Sequence, residues 1–124
     1  MTLTNPEAVA FAMPGGETCA PSRSRPVDLV HLARQTMGDR TLEEEVLQLF
    51  MQQAMIIGDR ILNANPSERR RLAHGLKGSA RGIGAFAVAE CAFAIEENPE
   101  QASLVTELGE RLRAVREFIA SISR

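Results

Sequence analysis

The chain has 124 residues, of which 44% are hydrophobic and 24% are charged, and its formal net charge is −2. These values are typical of one soluble globular domain, and no overall basic field argues for nucleic acid as a partner. Arg, Glu or Gln interrupts the apolar stretches every few residues, which excludes a membrane-spanning helix. The first residues lack the pattern of a secretory signal, so we expect a cytoplasmic protein.

Residues 1–26 differ from the rest of the chain in composition. They hold four of the six prolines together with Gly15 and Gly16, and such a stretch cannot bury enough apolar surface to offset its chain entropy. We therefore predict a flexible tail over 1–26 and one folded domain over 27–124. Cys19 lies in this tail and Cys91 in an apolar run, so we expect a buried free thiol at Cys91 rather than a disulfide framework.

The first predicted helix is short. Asp28 can cap its N-terminus, because an Asp side chain accepts from the free amides of a first helical turn. Leu29, Leu32 and Ala33 share one face of this helix. Gly38 suits its C-terminal end, since glycine adopts the left-handed conformation that often ends a helix.

A capping box is predicted to open the second helix. Thr41 can accept from the Glu44 amide while the Glu44 side chain reaches back to the cap. The apolar residues of this helix follow a helical period that predicts its buried stripe. They are Leu42, Val46, Leu49, Phe50, Ile57 and Ile61.

Three further helices follow, and no segment shows the alternation of a strand. Asn65 as N-cap and Pro66 at the first position start a helix that runs to about Gly82. Another helix is predicted over about 85–97, and the last over about 100–122. The apolar stripe of the last helix is Leu104, Leu108, Leu112, Val115, Ile119 and Ile122. The pattern predicts an all-α fold: an up-down-up-down four-helix bundle with a short extra N-terminal helix.

One histidine is predicted to point away from the bundle. At 100° per residue, the apolar side chains of segment 69–84 collect on one face of the helix, and His74 falls almost opposite. That buried face consists of Leu72, Leu76, Ala80 and Ile83. Around the histidine lie Arg70, Arg71, Lys77, Gly78 and Arg81. His74 is therefore predicted to be exposed within a cationic surface.

Two glycines sharpen this prediction. Gly75 and Gly78 lie inside the helix, where each costs about 1 kcal/mol relative to alanine. Gly78 is one turn beyond His74, so its missing side chain clears space beside the imidazole. Lys77 is expected to place a mobile ammonium over the same spot. An exposed nucleophile with a clear approach and nearby cations is typical of a site for transient covalent phosphate.

A plainer interpretation competes with this one. An exposed histidine beside Lys and Arg is usually only part of a solvated helix face, and His31, which lacks cationic neighbours, is expected to be structural or simply exposed. Neither histidine has a metal-binding partner at Glu-x-x-His or His-x-x-x-His spacing, and no convincing Ser or Cys nucleophile lies a turn away. A metal-assisted or hydrolytic enzyme is therefore a poor hypothesis.

The segment HGLKGSARGIGA, from His74 to Ala85, resembles the signature of histidine-containing phosphotransfer (HPt) domains. The pattern of that family is His-x-Leu-Lys-Gly followed by small residues and a later glycine, on a four-helix bundle. The resemblance covers about residues 27–122. It implies that His74 accepts the phosphoryl group, that Lys77 neutralises its charge, and that Gly78 allows close approach of the partner.

The resemblance also implies a partner for the other ring nitrogen. Some members of the family place a Gln or Glu on the following helix for this purpose, and Glu96 occupies that position, with Glu97 as the alternative if the register differs by one residue. A carboxylate there would orient the ring and support its basicity. Arg70, Arg71, Gly75 and Arg81 are the candidates for docking the partner.

The expected function is a phosphoryl carrier in a multistep two-component phosphorelay. The chain has no glycine-rich nucleotide loop and no room for an ATP-binding domain, so it is not expected to be a kinase. Its expected partners are receiver domains of hybrid sensor kinases and response regulators. These would bring their own Mg²⁺, so no cofactor or metal is expected on this chain, which we expect to be a monomer. The alternative is a non-catalytic helical interaction module whose Arg and Lys face binds an acidic protein.

Overall fold

The computed structural model describes residues 25–123 of the chain. Over that range it contains helices and no strand, which confirms the predicted all-α fold. The helices are α1 (Leu29–Thr36), α2 (Arg40–Asn63), α3 (Pro66–Ile83), α4 (Phe86–Glu97) and α5 (Ala102–Ile122). Most of the predicted tail, including Cys19, lies outside the described residues.

Helices α2 to α5 form a bundle in which each helix packs against the next and α5 returns to α2. The connections are short, as is typical of antiparallel neighbours in a helix bundle. The core of the described residues consists mainly of aliphatic side chains, with Phe50 as its buried aromatic residue. It includes Cys91 as a free buried thiol, as predicted.

The short helix α1 packs against α2 and α3 and is fixed to the end of α3. The Asp28 amide donates to the Gly84 carbonyl at 2.9 Å. Gly84 has a φ of +87°, and a Cβ there would lie 2.9 Å from the Asp28 carbonyl oxygen, so only glycine fits this junction. The His31 ring contacts the Gly82 carbonyl at 3.2 Å and meets Phe86 edge-on, which agrees with a structural role for His31.

The predicted caps of α1 and α3 are confirmed, whereas the predicted start of α2 is wrong. Asp28 accepts from the amides of Val30 and His31, and Asn65 accepts from Glu68. Helix α2, however, begins at Arg40 and is capped by Asp39.

The capping box at Thr41 does not form because the connection between α1 and α2 is tight. Met37 and Gly38 both have positive φ and reverse the chain within two residues. This leaves Asp39 extended, with its carboxylate accepting from the Leu42 amide, so Thr41 already lies within the first turn.

The predicted buried stripe of α2 is correct only in part. Phe50 and Ile61 are buried as predicted, but Leu42 and Leu49 are 40% and 55% exposed. The core side of this helix carries Leu47, Met51 and Ala54 instead. Helix α2 is apolar on more than one side, and its packing against α3 and α5 decides which side is buried. On α5, Leu108, Leu112, Val115 and Ile119 are buried as predicted, while Ile122 is exposed.

Arg69 joins α3 to the C-terminal end of α2 and to the connection between α4 and α5. Its Nε donates to the Ile61 carbonyl and its Nη1 to the Pro99 carbonyl, both at 2.9 Å. The carbonyls of Leu62 and Ala64 lie within 3.4 Å of Nη2. Carbonyls at the end of a helix lack partners within it, so a guanidinium there satisfies them and complements the helix dipole.

Candidate functional site

His74 lies on the outer face of α3, with 68% of its side chain exposed. The face predicted to be buried is buried: Leu72, Leu76, Ala80 and Ile83 all lie in the core. Ala73 is fully buried as well, although helical spacing did not place it on the buried face. The exposure predicted for His74 from helical spacing is therefore confirmed.

Glu96 on α4 binds the histidine ring. Its Oε2 lies 2.8 Å from Nδ1 of His74, and its other oxygen, Oε1, accepts from Lys77 Nζ at 2.7 Å. The hydrogen bond from Lys77, followed by that from His74, holds the pKa of the Glu96 carboxyl below its usual range. An ionised carboxylate only accepts hydrogen bonds, so Nδ1 must carry a proton and the neutral ring keeps its lone pair on Nε2.

Lys77 is held in place, which corrects the prediction of a mobile ammonium beside the imidazole. Only 15% of its side chain is exposed. Its ammonium donates to Glu96 and lies 5.2 Å from the centroid of the Phe93 ring. Helical spacing correctly placed Lys77 near His74. The Glu96 carboxylate and the Phe93 ring, both on α4, hold the ammonium at the interface between the two helices. The sequence analysis did not identify Phe93 as part of this site, because its contact with Lys77 joins two different helices.

The glycines beside His74 are not required by packing within the bundle. Gly75, Gly78 and Gly82 are exposed, and a Cβ added at any of them would meet nothing within 4 Å. Their φ angles are not positive, so the backbone does not require glycine at these positions. Each costs about 1 kcal/mol of helix stability relative to alanine. The result is a strip of bare backbone along one flank of the exposed imidazole.

Comparison with known families assigns the chain. The Hpt domain profile matches residues 45–118, more than half of the sequence. The chain belongs to the Hpt domain family. The matched region includes all of α3 and α4, and therefore His74, Lys77 and Glu96. Hpt domains are phosphocarrier modules of two-component signalling rather than kinases. Comparisons with curated proteins and with solved structures found no match.

The arginines of this Hpt domain are not equivalent. Arg71 donates through Nε to Glu68 at 3.1 Å, and Glu68 also pairs with Arg60. Arg70 and Arg81 are exposed on the same side of α3 as His74, and neither forms an ion pair within residues 25–123. Arg69 is used internally, as described above. Of the arginines on the predicted basic face, only Arg70 and Arg81 are therefore free of ion pairs with the described residues.

The described part of the Hpt domain offers neither a metal-binding cluster nor a membrane-spanning helix. No group of three or more His, Cys, Asp or Glu side chains in the described part of the chain could hold a metal ion. None of the helices described is long and apolar enough to cross a membrane.

Proposed function

We propose that His74 accepts a phosphoryl group from the phosphoaspartate of a receiver domain and passes it to the aspartate of another response regulator. One observation carries the proposal: the exposed ring donates Nδ1–H to the Glu96 carboxylate at 2.8 Å. This contact orients the imidazole and leaves Nε2 as the nucleophile. The family of the chain supports the same chemistry.

The transfer step balances without a further reactant. The Nε2 lone pair attacks the phosphorus, the Nε2–P bond forms, and the P–O bond to the donor aspartate breaks, so that the aspartate leaves as a carboxylate. The ring keeps its Nδ1 proton and becomes positively charged. Glu96 lies beside that proton and stabilises the charge. Transfer to the acceptor is the same step in reverse.

The surface around His74 suits the approach of a receiver domain. Gly75 and Gly78 present bare backbone next to the ring, so the partner's aspartate can come close. Arg70 is one turn before His74 on the same surface, and Arg81 is two turns after it. We propose that these two cations stabilise the transferred phosphoryl group and contact the acidic receiver, with a smaller part for Arg71 because Glu68 already binds it.

We propose that the chain acts as a monomeric carrier without kinase activity or a cofactor of its own. In this scheme the receiver supplies the Mg²⁺ that neutralises charge on the phosphoaspartate. The residues of this chain supply the nucleophile, its orientation and the open approach.

Labelling tests the proposal. Two phosphoryl donors would be incubated separately with the wild-type chain and with His74→Gln. The first is a set of receiver domains phosphorylated by radiolabelled acetyl phosphate and Mg²⁺, and the second is radiolabelled phosphoramidate. We expect label on the wild type that is labile in acid and stable in base, as a phosphohistidine is, and no label on His74→Gln. Circular dichroism should show equal helicity for both chains. The proposal is overturned if neither donor labels the wild type, or if His74→Gln retains the label.

A further inference from the structure

Phe93 is a large aromatic residue that lies outside the core and next to the His74 site. It belongs to α4, three residues before Glu96, and 45% of it is exposed. It is not part of the hydrophobic core cluster or of the apolar groups packed against that cluster. Burial of apolar surface in the bundle therefore does not explain its position.

The ring of Phe93 meets the ammonium of Lys77. The centroid of the ring lies 5.2 Å from Nζ, within the range of a cation–π contact. The same ammonium donates to Glu96 Oε1 at 2.7 Å. Phe93 and Glu96 thus both contact the ammonium and fix its position, and only 15% of the Lys77 side chain remains exposed.

These contacts form a continuous chain that ends at the nucleophile. Phe93 contacts Lys77, Lys77 binds one oxygen of Glu96, and the other oxygen of Glu96 binds Nδ1 of His74. A carboxylate fixed at one oxygen by an immobilised ammonium has less freedom to rotate away from the imidazole. The orientation and tautomer of His74 therefore depend on how firmly Lys77 is held.

We infer that Phe93 is a positioning residue for phosphotransfer: it holds Lys77 on Glu96, and Lys77 acts on His74 through that carboxylate. This inference rests on the proposed function and adds a residue to it. It also changes the expected role of Lys77, whose ammonium is directed at Glu96, the acceptor of the Nδ1 proton. Without the ring the ammonium is hydrated, Glu96 becomes mobile, and the Nδ1–H tautomer is no longer enforced.

The first test is spectroscopic and does not depend on phosphotransfer. The ¹⁵N signals of the His74 ring would be recorded near neutral pH for the wild type, Phe93→Leu and Phe93→Tyr, with His31 as the internal reference. We expect the Nδ1–H tautomer of neutral His74 in the wild type, a mixture of tautomers in Phe93→Leu, and recovery in Phe93→Tyr, which keeps the ring face. Unchanged His74 signals in Phe93→Leu would overturn the inference.

The second test uses rates of transfer from a charged receiver. Phe93→Leu should lower the maximum rate about two- to fivefold, the size expected for loss of one partly exposed cation–π contact, with the half-saturating receiver concentration unchanged. In the Lys77→Met background the same substitution should have no further effect, because Phe93 acts only through Lys77. Additive losses, or a loss confined to receiver affinity, would contradict the inference.

The two tests separate the inference from the proposed function. If the wild type is not labelled by any donor, the carrier function fails while the ring spectra still test the contact chain. If the wild type is labelled but Phe93→Leu behaves as the wild type in both tests, only the role of Phe93 is refuted. Phe93 lies outside the core, so its truncation leaves no cavity that would unfold the bundle.

Discussion

The chemistry of His74 depends on a carboxylate that shares its oxygens between two donors. Glu96 accepts from His74 through Oε2 and from Lys77 through Oε1. Because both donors favour the ionised form, the pKa of Glu96 is lowered and the residue remains a carboxylate at neutral pH. The ring nitrogen that faces Glu96 is then fixed as the donor, and the other nitrogen keeps the lone pair that the proposed phosphotransfer requires.

Gly78 weakens the helix, and we propose that it does so to leave space for a partner beside His74. It is exposed inside α3, and an added Cβ would meet nothing within 4 Å. Gly78→Gln should therefore raise the free energy of unfolding by about 0.5 kcal/mol, because glutamine is the better helix former. The same change should slow transfer from a receiver by roughly ten- to a hundredfold, because displacing reacting groups by about 1 Å can cost ~100-fold.

Gly109 on α5 provides the matched control for that variant. It too is an exposed glycine within a helix, with nothing within 4 Å of an added Cβ. Its helix does not pack against α3. Gly109→Gln should raise the free energy of unfolding, measured with urea, by a similar amount and leave the transfer rate unchanged. Equal transfer rates in the two variants would refute the role of Gly78 in partner approach.

At the scale of elements, the ends of the helices are tied together by one side chain. Arg69 donates to carbonyls at the end of α2 and to Pro99 in the connection between α4 and α5. Its neighbour Arg70 is exposed and forms no ion pair within residues 25–123. The two arginines are adjacent in sequence, and their side chains leave the helix about 100° apart. Arg69 is bonded within the bundle, whereas Arg70 is exposed and is proposed to contact a partner.

Replacement of these arginines should separate the two roles. Arg69→Met should lower the free energy of unfolding by about 2 kcal/mol, because carbonyls that lose charged hydrogen bonds are left partly buried and unsatisfied. Arg70→Met should stay within about 0.5 kcal/mol of the wild type, as is usual for exposed surface changes. Urea unfolding followed by circular dichroism measures both. Equal stability of the two variants would show that the Arg69 contacts contribute little.

For the molecule as a whole, Cys91 reports on the integrity of the core. Burial, and to a smaller extent the charge of Glu107, raises the pKa of the Cys91 thiol to about 11. The thiol lies between α4 and α5, and its sulfur is 3.5 Å from the Leu104 carbonyl oxygen. A thiolate is the reactive form, so a buried thiol with a raised pKa is inert until the bundle opens.

A Cys19→Ser chain makes this measurable, because Cys91 is then the single thiol. With iodoacetamide at pH 8, the native chain should react at least ~100-fold more slowly than the urea-unfolded chain, since an unfolded thiol has a pKa near 8.5. The rate should rise through the same urea range as the loss of helicity. Fast labelling in the absence of urea would contradict a closed core around α4 and α5.

The spacing of apolar residues and the helix-capping residues in the sequence were enough to predict much of the fold. Helical periodicity predicted the all-α bundle, the buried face of α3 and the exposure of His74, because these depend on spacings of three and four residues within one helix. The caps at Asp28 and Asn65 were readable for the same reason. The position of Glu96 opposite His74 came from resemblance to a family, since no spacing within a helix relates residues on two helices.

The tertiary structure decided what depends on contacts between helices. It buried Leu47 and Met51 of α2 rather than Leu42 and Leu49. A tight turn made Asp39 the N-cap of α2, and contacts with α4 placed Lys77 between Glu96 and Phe93. Each of these outcomes depends on which neighbour offers a partner. Helical period alone determines the direction of a side chain but not what it meets there.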